Sequence, residues 1–169
     1  MDEVRVRAAI AHAVRELAES GRPDEALAEY VPARRAFGFI PRPSAMRPLG
    51  RVWRLGVLLL SRDGSLFIAG QTTRAVAPGW ANNQSRAAEE RREYRAAAHR
   101  GPFDDGEVVN FGAQLVTLDA AALQRPGARL YLDDGELLVR WGGPGSTGIR
   151  FEDYLREQLD LALRPPAQA

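Results

Sequence analysis

Two turn signals constrain the fold of this chain more than anything else in it. Asp63-Gly64 and Asp133-Asp134-Gly135 each separate runs of strand-forming residues, and such turns supply the positive φ that a two-residue hairpin needs. Residues 51–62 predict a strand, apolar on both faces over 55–60 and therefore covered on both sides. Its return strand is expected over 65–76. Residues 129–132 and 136–141 predict a second hairpin, and 108–118 reads as one further strand. Successive hairpins imply a mostly antiparallel sheet.

Helical spacing accounts for the rest. Val6, Ile10, Ala13, Val14 and Leu17 fall on one face of a helix that Ser20-Gly21 ends. A second, short helix is expected after Pro23, with Asp24 and Glu25 in its first turn. Pro32, Pro41, Pro43 and Pro48 impose an extended connector up to Gly50. Ser85 is a natural N-cap for a helix over 86–100 whose thin apolar face places it on the surface. A helical turn is expected at 120–124. Residues 151–163 carry the clearest amphipathic stripe, stopped by Pro165-Pro166. The fold class expected is α+β: a mostly antiparallel sheet of about five strands, N-terminal helices, one inserted surface helix and a C-terminal amphipathic helix. The 169 residues fit one domain, with 1–50 packed on 51–163.

Composition then removes whole classes of chemistry. There is no cysteine, and all 23 Lys+Arg positions are arginine. Thiolate nucleophiles, disulfides and Cys metal sites are closed, as are Ser-x-x-Lys pairs, Schiff bases and the P-loop. No serine has glycine at both −2 and +2, so the nucleophile elbow is absent. His12 sits on the solvent side of the first helix and His99 at a helix C-terminus, with no metal-ligand spacing. Gly143-Pro144-Gly145-Ser146-Thr147-Gly148 matches G-x-G-x-x-G, yet too little chain follows for the acid a dinucleotide site requires about 20 residues on. No cofactor and no metal are expected. The N-terminus lacks a signal-like apolar segment, and no run is long enough to span a bilayer, so a cytoplasmic protein without a membrane partner is expected.

Three sets of candidate site residues remain. Asp104, Asp105 and Glu107 are the candidate catalytic carboxylates, since a general base is the enzymatic route left open. Gln71, Thr73, Asn110 and Gln114, with Trp80, Asn82 and Asn83 of the following loop, form a candidate ligand-binding face of neutral polar side chains. Arg34, Arg35, Arg42 and Arg47 lie in a stretch without acids and are candidates for anion binding. Aromatics nearby, Phe37, Phe39 and Trp53, raise single-stranded nucleic acid as a partner, but a net charge of +1 argues against it.

Residues 51–60, with Thr73-Arg74-Ala75-Val76 and the run 88–98, resemble a family of short actinobacterial proteins, some of which carry the name glutaminase. The resemblance covers roughly 45–115 and implies amide hydrolysis. It transfers no catalytic residues, because serine-dependent glutaminases use a lysine that this chain lacks. The reading favoured by the residues is a domain that binds a small molecule or a protein without covalent catalysis. A glutaminase-like amidohydrolase using carboxylates, and an anion- or nucleic-acid-binding module, are the alternatives.

Overall fold

The structure is a computed structural model that describes residues 1–36, 40–79, 85–124, 127–143 and 145–165. In chain order its elements are α1 (Glu3–Glu19), β1 (Glu25–Val31), β2 (Arg34–Ala36), β3 (Ile40–Arg42), β4 (Ala45–Leu55), β5 (Leu58–Ser61), β6 (Leu66–Ile68) and β7 (Gln71–Arg74). Then come α2 (Arg86–His99), β8 (Val108–Phe111), β9 (Gln114–Leu115), α3 (Ala120–Leu123), β10 (Leu130–Asp133), β11 (Glu136–Val139), β12 (Ile149–Arg150) and α4 (Phe151–Leu163). The class is α+β. The sheet is mostly antiparallel, as expected, but the main sheet is mixed and has seven strands, in the order β7-β8-β1-β4-β5-β6-β9, where about five were expected. Among the described residues its ladders are antiparallel except β1 with β8.

The chain divides into two compact units: 1–23 with 53–68 and 114–169, and 24–52 with 69–113. Strand β4 runs through the change of unit between Val52 and Trp53, so its two ends belong to different units.

In the first unit α1 and α4 bury the stripes that their spacing foretold. Val6, Ile10, Ala13 and Leu17 join Phe151, Tyr154, Leu155 and Leu159 in one core. Asp2 caps α1 by accepting from the Arg5 N–H. The strand expected over 51–62 is really two strands, because Gly56 (φ +60°) turns the chain between β4 and β5. Tyr154 completes that turn: its hydroxyl accepts from the Val57 N–H at 2.8 Å and donates to the Leu55 carbonyl at 3.1 Å. Burial raises the Tyr154 phenol above its ordinary pKa. A Cβ on Gly56 would lie 2.2 Å from that hydroxyl.

Both turn signals form hairpins, by different routes. Asp134 (φ +45°) and Gly135 (φ +75°) give the two left-handed residues of a type I′ turn between β10 and β11. At Asp63-Gly64 only the glycine has positive φ. There the Gly64 N–H donates to the Ser61 carbonyl and the Ser61 N–H to the Ser65 carbonyl, a three-residue loop instead of a type I′ turn. Asp63 accepts from the Ser61 hydroxyl and the Ser65 N–H, which holds its carboxyl below the usual value. The glycine-rich segment 143–148 lies between β11 and β12, which are antiparallel, so the βαβ context of a dinucleotide site is not formed.

The second unit corrects the helix expected after Pro23. That segment is β1, paired with β4 on one side and β8 on the other, with Ala26, Leu27 and Ala28 buried. Pairing on both edges outweighs the helix preference of Ala, Leu and Glu, because tertiary context overrides intrinsic propensity. The core here is small: Ala26, Ala28, Ala75, Ala97, Ala98 and Val109 let α2 approach the sheet closely. Ser85 caps α2 by accepting from the Ala88 N–H, as expected. Pro43 precedes and Pro48 lies within the extended strand β4, while β2 and β3 pair antiparallel with each other.

The strands expected over 65–76 and 108–118 are both interrupted. Each loses two residues, Ala69-Gly70 from one and Gly112-Ala113 from the other, between the β6–β9 and β7–β8 pairings. The approach there is too close for a side chain, since a Cβ on Gly70 would stand 2.4 Å from the Phe111 carbonyl oxygen. Gly112 has φ +64°.

Tyr154→Phe leaves the half-buried Val57 N–H and the buried Leu55 carbonyl without their partner. Chemical denaturation of this variant should show a loss of about 1–3 kcal/mol with an unchanged m value.

Candidate functional site

The second unit carries a groove of 370 Å³ along β7 and α2, within the size range of small-ligand pockets. Its strand side is Gln71, Thr72, Thr73 and Arg74; its helix side is Arg91, Tyr94 and Arg95. Val76 and Val108 complete the lining. Among the described residues the lining therefore includes three arginines and no carboxylate.

Local structure explains the arrangement. Arg91, Tyr94 and Arg95 are spaced i, i+3, i+4, so they share one face of α2. Tyr94 is anchored by aromatic packing, edge-on to Tyr30 at 5.0 Å between centroids and tilted against Phe111 at 4.7 Å. Its hydroxyl donates to Glu90 at 2.8 Å, and that bond, followed by burial, raises the phenol above its ordinary pKa. Arg74 donates to the Gly106 carbonyl at 3.1 Å, which steers its guanidinium without neutralising it. Among the described residues, none of Arg74, Arg91 and Arg95 has an acidic partner.

β7 is also the terminal strand of the sheet. Ala75 N–H donates to the Glu107 carbonyl, so Ala75 faces Glu107 in a hydrogen-bonded position. Alternation along the ladder then makes Thr73 with Val109 a bonded pair and turns the backbone groups of Thr72 and Arg74 outward. The outward Arg74 carbonyl accepts from the Val76 N–H. The Thr72 N–H, the Thr72 carbonyl and the Arg74 N–H remain along the edge.

The residues singled out in the sequence are dispersed. Gln71 and Thr73 line the groove. Asn110 does not share their surface: it is fully buried, donating to Glu25 Oε2 at 2.8 Å and to the Ala26 carbonyl at 3.1 Å. Gln114 lies beyond the break at Gly112, exposed on β9 opposite Ile68, and so belongs to the other unit. The face that period-2 alternation assigned jointly to Asn110 and Gln114 does not exist, because the strand is not continuous. Trp80, Asn82 and Asn83 lie outside the described residues, as do Phe37 and Phe39.

Among the candidate acids, Asp104 and Asp105 are exposed. Glu107 is ion-paired with Arg51, which Asp24 also holds at 2.8 Å. Burial works against the charge on Arg51, and the hydrogen bonds and charges of these acids outweigh it, so its pKa is raised. The geometry makes Glu107 a structural counter-ion. Of the anion-binding candidates, Arg34 and Arg42 stand directly opposite each other across the β2–β3 hairpin, and Arg47 pairs with Glu29. Arg35 faces Pro41. His12 contacts Arg15 at 3.2 Å, and His99 is exposed in the last turn of α2. Among the described residues no three side chains form a metal-binding group, and no helix is long and apolar enough to cross a membrane.

A larger cavity, 650 Å³, lies in the first unit between α1, the β5–β6 loop and β9. Its arginines are engaged: Arg7 with Glu3 at 2.6 Å, and Arg62 over the Trp53 ring at 5.1 Å. Ile10, Val14, Leu66 and Leu115 dominate the rest. Size favours this cavity; uncompensated charge favours the groove on β7 and α2, and charge carries chemical selectivity.

Arg91 and Arg95 were not singled out from the sequence, although a signal existed. Neither has an acid three or four residues away, and they are i, i+4 to one another. Like charges at that spacing destabilise a helix, so the pair is better suited to a ligand than to α2. Accordingly, Arg91→Ala and Arg95→Ala should each leave stability unchanged or raise it by about 0.2–0.5 kcal/mol in denaturant titrations. A loss above about 1 kcal/mol would mean that these side chains serve the fold.

No protein-family model, no curated protein and no solved structure matches this chain.

Proposed function

We propose that the chain is a non-covalent binding domain whose ligand carries carboxylate or phosphate groups and is held in the groove between β7 and α2. The observation that carries this reading is the convergence of Arg74, Arg91 and Arg95 on one cavity without an acidic partner among the described residues. Guanidinium forks match carboxylate and phosphate oxygens in pairs of hydrogen bonds. Gln71 and Thr73, which share one face of β7, add amide and hydroxyl groups that donate or accept, enough to orient a ligand once charge has drawn it in.

Each residue has a distinct part. Arg91 and Arg95 clamp the anion from the helix, Arg74 meets it from the strand, and the Tyr94 ring forms a wall fixed by Tyr30 and Phe111. Carboxylate catalysis finds no comparable support, since Asp104 and Asp105 are exposed and Glu107 is tied to Arg51.

A thermal-shift panel of inorganic phosphate, pyrophosphate, glutarate and citrate tests this reading. At about 100 times its Kd a ligand stabilises by roughly 2.7 kcal/mol, a rise of about 5–10 °C for a chain of this size. The shift should shrink as sodium chloride is raised and vanish in Arg91→Ala/Arg95→Ala. Equal shifts in the double variant, or none in the unaltered protein, would refute the site.

A further inference from the structure

We infer that the anion entering this groove is presented by an extended acidic polypeptide, which adds to the free edge of β7 as a further strand. This rests on the anion-binding reading above and specifies its ligand. A free metabolite is served by the three arginines with Gln71 and Thr73. The groove offers more: a strand edge with outward backbone groups at Thr72 and Arg74, alongside a helix face.

Strand addition uses main-chain hydrogen bonds for affinity and alternate side chains for selectivity. A segment paired with β7 points every second side chain to the side that α2 occupies, where Arg91 and Arg95 stand one helical turn apart. Carboxylates at alternate positions would therefore meet them. Lining charge chooses among occupants. A second copy of β7 would bring Arg74, Arg91 and Arg95 against their equals, the kind of repulsion that keeps exposed edges from self-pairing. An acidic strand meets complementary charge instead. Thr72, at a position whose N–H faces away from β8, is the residue at which backbone pairing and charge are separable, because proline is tolerated on edge strands with the N–H side free.

The test uses the full chain and calorimetric titration with an N-acetylated nine-residue peptide of alternating glutamate and valine, with glutarate as the small-anion control. The peptide should bind more tightly than glutarate. Thr72→Pro should weaken the peptide at least tenfold and leave glutarate within twofold. A second measurement leaves the protein unaltered: N-methylating the peptide at alternate residues should abolish binding in one register and spare it in the other. Peptide affinity indifferent to both changes would overturn strand addition. Glutarate binding without peptide binding would also overturn it, while leaving the anion site intact. Absence of binding by either would refute the anion site itself. Concentration-dependent dimerisation of the peptide-free protein, lost in Thr72→Pro, would assign the edge to a second copy and overturn the inference.

Discussion

A single buried amide holds the site's scaffold in place. Asn110 lies at the middle of β8 with no exposed surface, and its side-chain nitrogen donates to the Ala26 carbonyl and to Glu25. These bonds reinforce the parallel ladder of β1 with β8, where a buried polar group without partners would cost about 1–3 kcal/mol. β7 pairs only with β8, so its orientation, its free edge and the arginine it carries follow from where β8 is pinned. The Ala-rich core beneath α2 then brings Arg91 and Arg95 down to that edge.

Helices and turns were the most legible parts of the sequence. The stripes of α1 and α4 are continuous over several turns, and tertiary contacts reinforce a pattern that long. Both Asp-Gly signals formed hairpins. Strand continuity was less visible. Residues 55–60, 65–76 and 108–118 have uniform strand composition, and what interrupts each is one glycine whose role depends on a distant partner. Gly56 makes room for Tyr154, nearly a hundred residues later, and Gly70 for the backbone at Phe111 and Gly112. Residues 25–31 failed as a helix for a related reason: both neighbouring strands come from elsewhere in the chain.

The candidate site was half legible. Gln71 and Thr73 lie where polar residues on a strand suggested a recognition face. Asn110 shows why that logic is insufficient, since a polar side chain on a strand serves equally to satisfy a buried carbonyl. The arginines that matter differ from those that stood out in the chain. The run from Arg34 to Arg47 drew notice for its lack of acids, yet Arg47 finds Glu29 across the β1–β4 ladder. Arg91 and Arg95 are surrounded by acids in sequence and still have none at the spacings that would pair them.

The central claim is that ligand recognition takes place between β7 and α2. Amide chemical shifts of the isotope-labelled protein, followed during titration with glutarate, address it residue by residue. The account predicts the largest changes at Gln71, Thr73 and Arg74 and at the Arg91 and Arg95 side-chain Nε–H groups, saturating together. Changes confined to the β2–β3 hairpin or to the cavity between α1 and β9, with β7 and α2 undisturbed, would contradict it.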